Sequence, residues 1–306
     1  DMPTMEDGHA CVCPLMQGLP FYARHAFSLS EEQMLRPLVS FGSGFETSRS
    51  SFETVAEKLG FTRAEGSHAY DVGVEHYQRY LSAYRELGRK VLQEVRENPD
   101  RVYIALLGRP YNAFTRDANM GIPRKFTSQG VTVIPFDMIY QEDAEIPPNN
   151  YWYYGQQNMK AVRVVRKINN LYLAWISNFS CAPDSFLLHY VRWLMGQKPY
   201  LVLEIDSHTA DAGLDTRVEA FLDIVESYRR HVKPEPEKPF RRRYKVVMKE
   251  QYCDVLDQKT GRRYDIRDPK VHLIWPPMGD LSTESLSVAS RGQGVISTHL
   301  PLPNIY

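Results

Sequence analysis

The sequence predicts an α/β protein built on a doubly wound parallel sheet, and three observations predict it. Short runs apolar on both faces alternate with helical stretches. The runs end in polar loops, and glycines stand where several of the helices should stop. Strands that are apolar all round need cover on both sides, which parallel strands linked by helices provide.

The elements follow in order. Residues 1–100 read as an irregular and helical region, rich in Gly, Pro and Ser at first, with short helices expected around Glu31–Leu35 and Ser50–Leu59, the second stopped by Gly60. Val74, Tyr77, Leu81, Tyr84, Val91 and Val95 recur at three- and four-residue spacing with Gly88 on the same seam, so one long amphipathic helix runs from about His68 to Asn98. Asn98-Pro99 ends it.

The α/β domain then spans 101–232. Its strands are Val102–Leu107, Val131–Phe136, Leu171–Ile176 and Tyr200–Ile205. Helices are predicted over Pro123–Gln129, Tyr151–Ile168, Ser185–Met195 and Val218–Val232, the last with acidic residues early and basic ones late, as the helix dipole favours. Residues 233–243, with three prolines and a run of charge, read as a linker. Three consecutive arginines there suit a solvated linker better than a nucleic-acid patch. Residues 244–306 read as part of a second α/β unit: an antiparallel pair turning at Lys259-Thr260-Gly261, then a strand over Val271–Trp275, a helix and one further short strand. The opening Asp1 and the unfinished final unit suggest a piece of a longer chain.

Composition narrows the function. The 37 basic and 37 acidic side chains cancel, which argues against nucleic acid and anionic membranes as partners. No apolar run approaches the ~18 residues of a membrane span, and four cysteines in 306 residues are too few for a disulfide scaffold. A cytoplasmic protein is the expectation, and a homo-oligomer is compatible with it.

In open parallel sheets, ligands bind beyond the carboxyl ends of the strands. Four segments leave such ends here: 108–112, 137–138, 178–181 and 206–208. Cys181 leaves a buried strand and immediately precedes a helix opened by Pro183, Asp184 and Ser185, a place where thiolates and metal–sulfur clusters are stabilised. Cys11-Val12-Cys13-Pro14 is the second candidate, able to ligate a soft metal, either iron–sulfur or, with His9, a zinc half-site. Cys253 reads as structural. Arg109 could bind a phosphate or carboxylate, without the glycine spacing of a dinucleotide fingerprint or P-loop. Asp206-Ser207-His208 with Asp211 reads either as an acid–base or metal cluster or as an ordinary loop, with Asp215 or Thr216 a helix N-cap.

Taken together, Leu107-Gly108-Arg109-Pro110-Tyr111-Asn112, Asn119-Met120-Gly121-Ile122-Pro123, Asn178-Phe179-Ser180-Cys181 and 204–213 resemble the large activase-related proteins of the 2-hydroxyacyl-CoA dehydratase system. The resemblance runs from about Cys13 to His231 and resumes at Trp275-Pro276-Pro277-Met278-Gly279. It implies flavodoxin-like domains around a cysteine-ligated iron–sulfur cluster, of 4Fe–4S or double-cubane type, serving as a low-potential electron acceptor. It also implies an ATP-dependent activator module or subunit as partner and acyl-CoA as the substrate class. Carried over by position, Cys13 and Cys181 resemble ligands, and Cys11 is a neighbour without a clear counterpart. A further ligand is expected in a Gly-Lys-Glu-Cys-type loop that this sequence does not contain, and no ATP-binding motif of the activator is present. The expected function is therefore an iron–sulfur electron-transfer component. Two rivals stand beside it: a metal-free docking module using the helix from His68 to Asn98, and a zinc-stabilised hydrolase-like site at Asp206 and His208.

Overall fold

The computed structural model describes residues 10–139, 150–179, 181–232, 243–249, 252–276 and 280–300. The chain forms two units, Asp1–Pro234 and Glu235–Tyr306.

In the first unit β1 (Tyr103–Gly108), β2 (Thr132–Pro135), β3 (Leu171–Asn178) and β4 (Tyr200–Ile205) form a four-stranded sheet in the order β2-β1-β3-β4. All three pairings are parallel, with Leu106 opposite Pro135, Gly108 opposite Ile176 and Asn178 opposite Ile205. The two central strands are buried almost throughout, whereas β2 and β4 are partly exposed edges. That burial explains why the central strands read as unbroken apolar runs.

Alternation within the strands divides the core. Tyr103, Ala105, Leu107, Leu173 and Trp175 face α7 (Tyr153–Lys167) and α8 (Ala182–Met195), while Ile104, Leu106, Tyr172, Ala174 and Ile176 face α5 (Ile122–Ser128) and α9 (Asp211–His231). Helices on both faces make the sheet doubly wound, and its order is that of the first four strands of a flavodoxin-like sheet. The chain moves one way across the sheet from β1 to β2 and the other way from β2 onward. Right-handed crossovers therefore place α5 on one face and α7 and α8 on the other.

The longest element of the preceding region is a single helix, α3 (Arg63–Glu97). It starts five residues before the predicted His68 because Thr62 and Glu65 form a capping box, each side chain meeting the other's backbone N–H. Its last turns bury Gly88, Leu92 and Val95 against α6 (Phe136–Ile139) and the sheet. Near its start it packs on α2 (Arg49–Lys58), with a 3-10 turn at Phe45–Ser48 before it.

Two expectations fail in the N-terminal region. The stretch around Glu31–Leu35 is a turn followed by chain without regular structure. Ser30 and Gln33 exchange the reciprocal bonds of a helix start, but Pro37 drives the chain before it away from helix. Instead α1 (Pro14–Ala26) is helical despite Gly18 and Pro20. Later, α9 begins at Asp211 with Ala210 as its N-cap, so neither Asp215 nor Thr216 caps it.

The second unit holds β5 (Tyr244–Met248), β6 (Cys253–Asp257) and β7 (Arg263–Asp265) as an antiparallel sheet, then β8 (Leu273–Trp275), α10 (Asp280–Gly292) and β9 (Ser297–His299), with β8 and β9 parallel. The predicted pair is thus three strands. Lys259-Thr260-Gly261 joins the last two, and a further reversal, where the Lys249 N–H donates to the Tyr252 carbonyl at 2.7 Å, breaks an otherwise overlong strand. The linker residues 233–242, His9, Ser180 and Pro277-Met278-Gly279 lie outside the described residues.

Candidate functional site

The strand order sets the carboxyl edge out as Asp137, Arg109, Cys181 and Asp206, following β2, β1, β3 and β4 respectively. The direction of winding reverses between β1 and β3, which is where ligands bind in open α/β sheets. Arg109 and Cys181 flank that point.

Gly108 closes β1 with φ of 140°, and a Cβ there would lie 2.3 Å from the Ile176 carbonyl oxygen. Its N–H donates to Asn158 Oδ1 at 2.9 Å, and Asn158 Nδ2 donates back to the Gly108 carbonyl at 3.0 Å. This clamp from α7 aims Arg109 inward, where it is 4% exposed. Its Nε donates to Asp184 Oδ1 at 3.1 Å, and Ser177 Oγ donates to Asp184 Oδ2 at 2.8 Å. Arg109, a candidate for an external anion, is thereby held by a carboxylate of its own chain. Its Nη2 is buried without a hydrogen-bond partner among the described residues.

Cys181 is the N-cap of α8, half-buried, with its carbonyl accepting from the Ser185 N–H at 2.9 Å. Burial pushes its thiol pKa up, and the Asp184 carboxylate adds to the rise. The Asp184 backbone N–H and Arg109 pull the other way without prevailing. A helix N-terminus alone would favour thiolate. Burial, together with the carboxylate three residues on, reverses that.

Cys13 occupies the same kind of position, as N-cap of α1 with Pro14 next. The segment before it is docked: Cys11 forms a parallel bridge with Trp152, its N–H donating to the Tyr151 carbonyl at 2.7 Å and its carbonyl accepting from Tyr153 at 3.0 Å. This contact ties the N-terminal cysteine segment to the entry of α7, beside the carboxyl edge. Tyr111, in α4 (Pro110–Ala113), lies within electrostatic reach of both cysteines. Burial pushes its phenol up, and Cys181 and Cys13 both act on it in the same direction, as does Asp184, against Arg109.

The outer segments of the edge are differently engaged. Asp137 accepts from the Tyr84 hydroxyl of α3 at 3.0 Å, and its carboxyl is pushed up by burial. Asp206, Ser207 and His208 form an exposed turn in which Asp206 Oδ1 accepts from the His208 N–H and from Thr209 Oγ1, both at 2.9 Å. These bonds hold the Asp206 carboxyl below its usual range. The His208 side chain is 89% exposed, and Asp211 and Asp215 pair with Lys125 at 2.8 Å. Cys253 lies in the other unit, in β6.

The sequence motifs contained Arg109, Cys181 and Cys13. The Asn158 clamp and the Ser177–Asp184–Arg109 chain emerge only in three dimensions, although the polar run Gly155-Gln156-Gln157-Asn158, buried at the start of α7, was visible in the sequence. Among the described residues no group of three or more His, Cys, Asp or Glu side chains is placed to hold a metal ion. Cys13 and Cys181 offer two soft thiols at helix N-termini, which suits part of an iron–sulfur ligand set and does not complete one.

Residues 1–139 match the family model of the CoA enzyme activase uncharacterised domain. The match supports the activase family. It takes in Cys11, Cys13, Arg109, Tyr111 and Asp137 and stops before Cys181. No curated protein and no solved structure matches the chain. Among the described residues, no helix is long and apolar enough to cross a membrane.

Proposed function

We propose that the chain is an electron-transfer component of ATP-dependent 2-hydroxyacyl-CoA dehydratase activation, with Cys13 and Cys181 as two ligands of an iron–sulfur cluster completed by Cys11, a partner subunit or residues outside this chain. The observation that carries this reading is that two cysteines are helix N-caps on the carboxyl side of the sheet, Cys181 after β3 and Cys13 next to the segment docked on Trp152. The activase match over the N-terminal region supports it. When bound, such a cluster would supply a low-potential electron, received from a reduced partner module whose ATP hydrolysis would drive the transfer.

This chain's residues have definite tasks in that scheme. Cys181 must lose its proton on ligation, and Arg109 favours the thiolate. Asp184 opposes thiolate formation, yet it fixes the guanidinium beside the sulfur. Docking of Cys11 on Trp152 keeps Cys13 at the edge.

Anaerobic purification, reconstitution with iron and sulfide, and metal analysis test the proposal. Stoichiometric iron and sulfide that Cys181→Ala abolishes and Cys253→Ala leaves unchanged is the expected result. Equal retention in both variants, or iron-free protein after reconstitution of the full-length chain, overturns it.

A second reading, a metal-free docking module, is favoured by one observation. A cavity of about 550 Å³ opens along α2 and α3, lined almost wholly by apolar groups such as Phe45, Phe52, Leu59, Phe61, Val74 and Tyr77. In this reading α3 receives a dehydratase or activator subunit, and the cysteines carry no iron.

A further inference from the structure

The amino edge of the sheet, opposite the cysteines, carries a feature that the proposed chemistry does not use. A cavity of about 200 Å³ opens between the end of α7, the starts of β3 and β4, and the last turns of α9. Arg166, Lys198 and Arg229 line it with Tyr172, each cation from a different segment, and no carboxylate lines it among the described residues.

The three cations are not equally occupied. Lys198 is 3% exposed, and its Nζ donates to the carbonyls of Val165, at 2.6 Å, and Ile168. Arg229 Nη2 donates to the carbonyls of Pro99 and Asp100, both at 3.0 Å. These acceptors orient the two side chains at the carboxyl ends of α7 and α9, whose dipoles favour the cations but supply no full counter-charge. Arg166 has no hydrogen bond or ion pair among the described residues. Burial first, and then the Arg166 charge, press the Lys198 ammonium down to about 7.

We propose that this cavity is an oxyanion site for a small phosphate-bearing ligand, with Arg166 as its principal contact and Lys198 and Arg229 supplying the surrounding charge. Cations approaching from three segments match a compact dianion better than a carboxylate, which a single arginine fork satisfies. Lys198 is buried, Arg166 is partly buried and Arg229 is exposed, so a bound anion would offset the cost of the buried ammonium while remaining reachable from solvent. The site stands apart from the iron–sulfur reading and survives its failure.

Isothermal titration calorimetry of the full chain with inorganic phosphate, at an ionic strength fixed with chloride, tests this. One saturable site is expected. Arg166→Gln should weaken it at least tenfold, Arg166→Lys should weaken it less, and the exposed Arg124→Gln should leave it unchanged. Sulfate should compete, having the same shape and charge. Circular dichroism without phosphate should be the same for all variants, and Arg166→Gln should not lower the urea midpoint, since it loses no bond and relieves the repulsion of Lys198. No saturable binding, equal affinity in Arg166→Gln, or acetate binding as tightly as phosphate overturns the proposal.

Discussion

Arg109 and Asp184 meet at the switch point of the sheet, Nε to Oδ1 at 3.1 Å, with both side chains nearly excluded from water. Residues 75 positions apart are joined because β1 and β3 are neighbours and α8 starts directly after β3. A buried pair contributes little net stability over apolar isosteres, but removing one partner strands the other charge. Asp184→Ala should therefore lower unfolding free energy by about 3–5 kcal/mol in urea titrations. The Asp184→Ala, Arg109→Met double variant should lose less than the two single losses added. Strict additivity would mean that the pair is not coupled.

The same carboxylate controls Cys181. Asp184 raises the thiol pKa by its charge and by accepting from the sulfhydryl, so Asp184→Asn should lower it. Alkylation of the Cys181 peptide by iodoacetamide at pH 8, followed by mass spectrometry, should be several-fold faster in that variant, because the thiolate is the nucleophile. An unchanged rate would leave burial alone responsible for the slow reaction.

The parallel sheet was legible because fully buried strands must be written as apolar runs, and the long helix because its seam repeats every three or four residues. What escaped has local causes. The helix from Pro14 to Ala26 contains Gly18 and Pro20, both poor in helix interiors, and its legible assets are Pro14 at the first turn and an apolar face. Conversely, Ser30 and Gln33 imitate a helix start that Pro37 cancels. At the candidate site, Cys181 could be placed from its strand–helix junction alone. The capture of Arg109 by Asp184 could not, since only the strand order brings them together.

Gly88 gives a test of how α3 meets the sheet. A Cβ there would lie 1.9 Å from the Met138 carbonyl oxygen, and backbone cannot step aside as a side-chain tip can. Gly88→Ala should cost more than the roughly 1 kcal/mol that alanine otherwise gains over glycine in a helix. Gly73, on the same helix, is the control, because a Cβ there would meet nothing within 4 Å. Gly73→Ala should be neutral or raise the urea midpoint. A stabilising Gly88→Ala would show that α3 does not approach Met138 so closely.

Lys198 makes the stability of the first unit depend on pH in a direction opposite to that of a salt-bridged lysine. Its ammonium is pressed from the ordinary 10.5 to about 7, first by burial and then by Arg166, with Arg229 also lining its cavity. Between those values the unfolded chain holds a proton that the folded chain has released, so stability rises with pH; below 7 both states are protonated and the dependence fades. The neutral amine still has two N–H groups for the carbonyls of Val165 and Ile168. Urea unfolding should show a gain of about 1.5 kcal/mol from pH 7 to 8.5. Above that window the raised thiol of Cys181 and the raised phenol of Tyr172 act in the opposite sense, because the unfolded chain then loses protons first. Lys198→Met should flatten the rise. A wild-type stability that falls across pH 7 to 8.5 would mean that the two carbonyls keep the ammonium charged in the folded protein.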